Sequence, residues 1–195
     1  MRRAPVIPVL VLDGRIDPVA LAETLVEAGL PVIEVTLRTP GALDAIRAMA
    51  GVPGAIVGAG TVLNPVTLGA AIDAGSRFIV APGLTEPLGR AAIASGIPFL
   101  PGVASAGDIM RGLDLGLDRF KFFPAVAAGG LPALKALAAV FGDVRFCPTG
   151  GIAAATARDW FAHPAVTCVG GSWMVPAGAD LATVATLART AAALA

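Results

Sequence analysis

The sequence VIEVTL at residues 32–37 is followed by the helix-length stretch GALDAIRAMA at 41–50 and by a second short run, AIVGA, at 55–59. Short apolar runs are typical of buried strands. Strands that alternate with helices pair in parallel through right-handed crossovers. This stretch therefore predicts one strand–helix–strand unit with parallel strands.

The same alternation occurs eight times along the chain. Strands are predicted at residues 6–12, 32–37, 55–59, 78–81, 98–101, 119–123, 144–147 and 166–169. Helices are predicted at residues 18–28, 41–50, 65–74, 87–94, 106–115, 131–141, 153–161 and 181–194. An open doubly wound sheet is built from the same units, but here every strand is short and the turn residues recur evenly. The pattern favours an α/β fold, a single-domain (β/α)8 TIM barrel over residues 1–195.

The composition excludes several functions. The 14 basic residues cancel the 14 acidic ones, aromatic residues make up 5% of the chain, and tyrosine is absent. We therefore expect no nucleic-acid partner and no anionic membrane surface. The longest uncharged stretch, residues 48–72, is broken by glycines and prolines and does not suit a membrane span. Met1-Arg2-Arg3 runs directly into Pro5 without a signal-peptide cleavage site, so we expect a cytoplasmic protein.

The small numbers of histidine, cysteine and lysine residues limit which kinds of catalytic site this chain can form. The chain has one histidine (His163), two cysteines without CxxC spacing (Cys147 and Cys168) and two lysines, Lys121 and Lys135. This set does not supply a catalytic triad, a histidine-rich zinc site or a disulfide scaffold. Proton transfer in an enzyme with this composition has to use a carboxylate or a lysine.

The second predicted strand has one polar face. With the two-residue period of a strand, Glu34, Thr36 and Arg38 share that face, while the residues between them form an apolar face. The apolar face has to meet the helices, so Glu34 points into the barrel and Arg38 lies at its rim. The alternative is a buried Glu34–Arg38 ion pair with no function, although such pairs usually add little stability.

Lys121 lies within the sixth predicted strand, Arg119-Phe120-Lys121-Phe122-Phe123. If Phe120 and Phe122 meet the helices, Lys121 enters the barrel. Burial disfavours the ammonium form of a lysine, and a neutral amine is a nucleophile suited to forming a Schiff base with a ketone. The alternative is a lysine that extends to the rim and stays solvated, as Lys135 is expected to do on its helix.

Paired glycines follow the seventh and eighth predicted strands, in Thr149-Gly150-Gly151 and Gly170-Gly171-Ser172. Glycine allows backbone N–H groups to approach an anion, and the start of a helix favours negative charge. The loops after these two strands commonly hold phosphate in (β/α)8 barrels. The sequence therefore predicts a phosphorylated ligand, with hydroxyl donors from Thr149 and Ser172.

Five motifs resemble those of the 2-keto-3-deoxy-6-phosphogluconate (KDPG) aldolase family, the class I pyruvate aldolases of the Entner–Doudoroff pathway. The motifs are EVTLRT at 34–39, GAGTVLNP at 58–65, FKFFPA at 120–125, RFCPTGGI at 145–152 and GGSW at 170–173. The likeness extends from about Pro5 through the final helix. It implies a (β/α)8 barrel, no metal or other cofactor, and usually a homotrimer.

The resemblance also implies roles for individual residues. Lys121 matches the Schiff-base lysine and Glu34 the acid–base glutamate. Arg38 and Thr61 match the residues that hold the pyruvyl carboxylate, and Pro82 and Phe123 line the same pocket. The phosphate pocket is matched by Thr149, Gly150, Gly151, Gly170, Gly171 and Ser172. The assignments of Thr61 and Pro82 come from the resemblance alone.

The expected reaction is cleavage of KDPG to pyruvate and glyceraldehyde 3-phosphate. The nearest alternative is a sister aldolase acting on 2-keto-4-hydroxyglutarate (KHG) or on the galactonate epimer of KDPG. A second alternative is a phosphosugar isomerase or epimerase on the same barrel, which would use Glu34 without an imine. A non-enzymatic phosphate-binding module is the third, but it leaves the lysine inside a strand unexplained.

Overall fold

The computed structural model describes residues 4–194, so the expectation drawn from Met1 to Arg3 lies outside the described residues. The strands are β1 (Val6–Leu10), β2 (Val32–Thr36), β3 (Ile56–Gly60), β4 (Ile79–Val80), β5 (Phe99–Leu100), β6 (Gly102–Val103), β7 (Arg119–Phe122), β8 (Arg145–Pro148) and β9 (Val169–Gly171). The helices are α1 (Pro18–Glu27), α2 (Ala42–Ala50), α3 (Pro65–Asp73), α4 (Glu86–Ser95), α5 (Ala106–Asp114), α6 (Gly130–Val140), α7 (Ala154–Phe161) and α8 (Leu181–Ala192).

Every strand pairing is parallel, as the sequence predicted. The strands form a six-stranded sheet in the order β5-β4-β3-β2-β1-β9 and a three-stranded sheet in the order β6-β7-β8. Two isolated parallel bridges, Phe146 with Val166 and Thr149 with Gly170, connect β8 to the segment that contains β9. The molecule is thus an α/β fold with a curled parallel sheet, and a helix lies between successive strands except between β5 and β6.

Most predicted strands differ from the structure by one or two residues at an end, and two differ by more. The run at 98–101 was predicted as one strand, but Pro101 separates β5 from β6 because proline has no N–H to continue the ladder. β5 pairs with β4, whereas β6 pairs with β7. The last strand lies at 169–171 rather than 166–169, and Val166 keeps only its isolated bridge.

Side chains cap the first turns of helices α1 and α3. The Asp17 side chain accepts a hydrogen bond from the Ala20 N–H at 2.9 Å, at the start of α1. Asn64 accepts one from the Thr67 N–H at 2.9 Å, and the Thr67 hydroxyl accepts one from the Asn64 N–H, which completes a capping box. Such caps stabilise a helix by about 1 kcal/mol and fix where it begins.

The core lies between the strands and the helices. A Cβ built on Gly112 of α5 would be 2.3 Å from the Phe120 ring, so strand β7 packs this ring directly on the helix backbone. The Phe122 ring centroid is 6.4 Å from that of Trp160 on α7. Since both phenylalanines face helices, Lys121 between them faces the other way. The longest described helix, α8, has 12 residues, and no described helix is long and apolar enough to cross a membrane.

Candidate active site

Lys121 and Glu34 meet in the interior although 87 residues separate them. The Lys121 Nζ donates a hydrogen bond to the Glu34 Oε1 at 3.0 Å, and the two side chains are 6% and 4% exposed. Lys121 therefore does not extend to the solvated rim, whereas Lys135 on α6 is exposed. A buried ion pair adds little net stability, because desolvation offsets most of the attraction. A catalytic role explains this buried pair better than a role in stability.

Three residues, Gly60, Phe123 and Cys147, lie close to this pair. A Cβ on Gly60 would lie 2.2 Å from the Glu34 Oε1, so any larger residue there would displace the carboxylate. The Lys121 Nζ is 5.2 Å from the centroid of the Phe123 ring. Cys147 is the register partner of Lys121 on β8 and is buried. Gly60 and Cys147 were not predicted as site residues, and their only signal was their place inside the GAGTVLNP and RFCPTGGI motifs.

The interior also contains two free thiols, one of which, Cys147, lies on the strand next to Lys121. Cys147 and Cys168 are both buried. The neighbouring Cys168 thiol, together with burial, raises the pKa of Cys147 well above its ordinary value. Cys147 is therefore a protonated thiol near neutral pH and not a nucleophile. Within residues 4–194, no group of three or more His, Cys, Asp or Glu side chains is arranged to hold a metal ion.

Arg38 and Thr61 form the second part of the site. The exposed Arg38 donates from its Nε to the Thr61 Oγ1 at 3.3 Å. The alternative of a Glu34–Arg38 pair is wrong, because Glu34 is paired with Lys121 instead. Thr61 has a φ of 60°, the left-handed region that a β-branched residue rarely adopts. Such strain costs about 1–3 kcal/mol and is typical of functional positions.

We expect Thr61→Gly to be more stable than Thr61→Ala by about 1 kcal/mol. Both substitutions remove the hydroxyl, but glycine adopts a positive φ without a Cβ clash, whereas alanine keeps most of the strain. The midpoints of urea unfolding for the two variants measure the difference. An alanine variant at least as stable as the glycine variant would contradict the strain at this position.

The other two predicted lining residues follow strands β4 and β7. Pro82 follows β4 and is half-buried. A Cβ built on Gly102 would be 2.1 Å from the Pro82 carbonyl oxygen, so the backbone of β6 packs directly against the backbone at Pro82. Phe123 is half-buried directly after β7. Both residues thus lie at the carboxyl ends of strands, the end at which parallel α/β folds bind their ligands.

The two predicted glycine loops are side by side. Thr149 and Gly170 form a parallel bridge, and a Cβ on Gly170 would be 2.4 Å from the Thr149 Oγ1. Gly150 and Gly151 have φ values of 101° and 79°, which only glycine adopts without strain. Gly171 likewise has no room for a side chain, because a Cβ there would be 1.8 Å from the Trp173 ring.

These loops offer unpaired backbone donors. The N–H groups of Gly151 and Ile152, just before α7, have no acceptor within residues 4–194. The N–H groups of Ser172 and Trp173 also have none in the described part of the chain. Unpaired amides beside the start of a helix form a binding site for an anion such as phosphate. The Ser172 side chain is exposed, whereas Thr149 is buried.

A parallel α/β fold with a buried amine–carboxylate pair, next to loops rich in free amides, is the arrangement of an enzyme for small anionic substrates. The protein-family model for KDPG and KHG aldolase matches residues 1–187. The chain belongs to this aldolase family and is a lyase.

Individual relatives are similar over almost their whole length. A Zymomonas mobilis protein named 2-dehydro-3-deoxy-phosphogluconate aldolase is 59% identical over 194 residues, which cover 99% of this chain and 93% of the relative. The crystal structure of the Zymomonas mobilis ZM4 2-keto-3-deoxy-6-phosphogluconate aldolase with 3-phosphoglycerate has a TM-score of 0.97 at 58% identity, covering 100% of this chain and 93% of that one. A Legionella pneumophila KDPG aldolase, with pyruvate captured as a covalent carbinolamine, has a TM-score of 0.95 at 44% identity, covering 98% of this chain and 96% of that one.

Proposed function

We propose that this protein is a class I aldolase that cleaves KDPG to pyruvate and glyceraldehyde 3-phosphate. The observation that carries the proposal is the buried hydrogen bond of 3.0 Å between the Lys121 Nζ and the Glu34 Oε1. An amine in this setting can pass its proton to the carboxylate beside it and become a nucleophile. The covalent carbinolamine of pyruvate in the Legionella pneumophila relative supports amine chemistry in the family.

In the proposed mechanism, the Lys121 Nζ attacks the C2 ketone of the substrate, and loss of water gives a protonated imine. Cleavage of the C3–C4 bond places its electron pair in the imine, which becomes an enamine. Glu34 takes the proton of the C4 hydroxyl, directly or through water, and the aldehyde product leaves. Protonation of the enamine at C3 and hydrolysis of the imine then release pyruvate and free Lys121.

The remaining residues hold the two ends of the substrate. Arg38 and Thr61 would bind the carboxylate next to the ketone, through a charged fork and a hydroxyl. Pro82 and Phe123 would line the pocket around the reacting carbons. The phosphate would lie on the glycine loops, formed by Thr149, Gly150, Gly151, Gly170, Gly171 and Ser172. Holding both ends places the C3–C4 bond beside the amine and lowers the entropic cost of reaction.

The substrate preference is tested by comparing kcat/KM for KDPG, its galactonate epimer and KHG. We expect a higher value for KDPG than for KHG, because the unpaired amides at Gly151 and Ser172 suit a phosphate. The galactonate epimer carries the same phosphate, and we expect a higher value for KDPG than for the epimer because the chain resembles KDPG aldolases most strongly. KHG is the second candidate, since the family description includes KHG aldolases and a second carboxylate is also an anion. A kcat/KM for KHG above that for KDPG would contradict our assignment of the substrate.

The proposal extends to the architecture and setting of the enzyme. We propose that the two sheets close into a single-domain (β/α)8 barrel over residues 1–195. Two observations support the closure: the bridges that connect the β8 region to the segment containing β9, and the link of one residue between β5 in one sheet and β6 in the other. A homotrimer would cover exposed apolar side chains such as Leu63 and Val66. Two unpaired cysteines suit a reducing cytoplasm.

A further inference from the structure

Val9 lies on β1 at the same level as Glu34. The two residues are register partners in the parallel pairing of β1 with β2, so their side chains point to the same side of the sheet. Glu34 points into the interior, where it meets Lys121, and Val9 therefore points there too. The Thr36 hydroxyl donates a hydrogen bond to the Leu10 carbonyl at 2.8 Å, which ties the end of β1 to β2 directly beside Val9. The orientation of Val9 is thus set by the fold.

On its other side, Val9 is next to the end of β9. Pro8 is the register partner of Gly171, so Val9 and Ser172 follow at the next step along the two strands. Neighbouring strands are about 4.8 Å apart, which places the Cα atoms of Glu34 and Ser172 about 10 Å apart with Val9 between them. Three adjacent strands thus present a hydroxyl, an apolar side chain and a carboxylate in one row.

The Val9 side chain is accessible to a ligand. Glu34 is buried, whereas Val9 is only half-buried. Together with Ser172, Val9 lines a cavity of about 490 Å³ at the carboxyl ends of β1 and β9. A cavity of this size accommodates a small ligand. A substrate that reaches from Glu34 to Ser172 therefore passes over the methyl groups of Val9.

We propose that Val9 is a specificity-determining residue for the length of the substrate on the aldehyde side of the cleaved bond, an inference that rests on the proposed function. In the proposed mechanism, Glu34 acts at the C4 hydroxyl, and the phosphate on C6 lies beyond Val9, beside Ser172. C5 and C6 of KDPG therefore pass over Val9. The small side chain of a valine leaves this passage open.

KHG makes a smaller demand on the same passage. Its C4 hydroxyl also lies beside Glu34, but its carbon chain ends at C5 with a carboxylate, so cleavage gives glyoxylate in place of glyceraldehyde 3-phosphate. A larger side chain at position 9 should therefore obstruct KDPG more than KHG. Pyruvate ends at C3 and does not reach position 9, so formation of its imine with Lys121 should not change.

The experiment compares Val9→Leu, Val9→Thr and Val9→Ala with the wild-type protein. Leucine adds one methylene, threonine has nearly the same size as valine, and alanine is smaller. For each protein we would measure kcat/KM for KDPG and for KHG, borohydride trapping of pyruvate, and exchange of the pyruvate methyl hydrogens for deuterium. We expect Val9→Leu to lower the ratio of kcat/KM for KDPG to that for KHG by about 10- to 200-fold. Trapping and exchange should stay at the wild-type level.

The two other variants and a distant control separate size from polarity. Val9→Thr should keep the wild-type ratio, and Val9→Ala should not lower it, because neither side chain narrows the passage. Val140→Leu is the matched control, since Val140 is 74% exposed at the end of α6. It should change kcat/KM for either substrate by about twofold or less.

Equal losses for KDPG and KHG in Val9→Leu would overturn the inference, because the side chain would then act on the reaction common to both substrates. A ratio that falls as far in Val9→Thr or Val9→Ala as in Val9→Leu would overturn it too. Should Val9→Leu not fold, the ratios of Val9→Thr and Val9→Ala still decide. Loss of pyruvate trapping in the wild-type protein would instead disprove the proposed function.

Discussion

Replacing Lys121 with alanine is expected to abolish both turnover and the trapping of pyruvate by borohydride. The amine is the proposed nucleophile, and it forms a hydrogen bond with Glu34 in a buried setting. No other described lysine lies near this carboxylate, since Lys135 is exposed on α6. Mass spectrometry after treatment with pyruvate and borohydride measures the covalent adduct and identifies the modified residue.

Lys135→Ala is the control for this experiment, and it should trap pyruvate as the wild-type protein does. Removing Lys121 leaves Glu34 buried without its partner, which destabilises a protein by about 3–5 kcal/mol. The double variant Lys121→Ala/Glu34→Gln removes the unpaired charge and separates loss of folding from loss of chemistry. An adduct that persists in Lys121→Ala would move the nucleophile to Lys135.

The Glu34→Gln variant should lose about two to four orders of magnitude in the rate of cleavage. The amide can still form a hydrogen bond with the Lys121 Nζ, but it cannot accept the proton of the C4 hydroxyl. Imine formation with pyruvate should remain detectable, although slow. Single-turnover cleavage of KDPG measures the first effect, and borohydride trapping measures the second.

Glu23→Gln is the matched control, because Glu23 is an exposed carboxylate on α1. It should leave both rates unchanged. A cleavage rate near the wild-type value in Glu34→Gln would remove this carboxylate from the path of the proton. Complete loss of trapping would show instead that Glu34 is needed to form the imine.

The faces of strands β2 and β7 could be predicted from the sequence because side chains alternate along a strand. The two-residue period assigns Glu34 to the same face as Arg38, and Lys121 to the face opposite Phe120 and Phe122. The parallel α/β fold follows from the alternation of short apolar runs with capped helices. Both predictions depend only on neighbouring residues, so the local sequence contains the information they require.

Contacts between distant segments could not be predicted in the same way. The period of β2 alone does not show whether Glu34 pairs with Arg38 or with Lys121, because the choice depends on how the sheet curls. The positive φ of Thr61 runs against the ordinary preference of threonine. The contact between Val126 and Gly151 joins two loops and depends on the register of β7 and β8.

The space left by the hydrogen of Gly60 determines where the Glu34 carboxylate lies, since a methyl group there would collide with its oxygen. The position of the Glu34 carboxylate is thus determined both by β2, which bears it, and by the absence of a side chain at Gly60 on the adjacent strand β3. Anyone grafting the carboxylate onto a new scaffold would have to transplant β2 and β3 together.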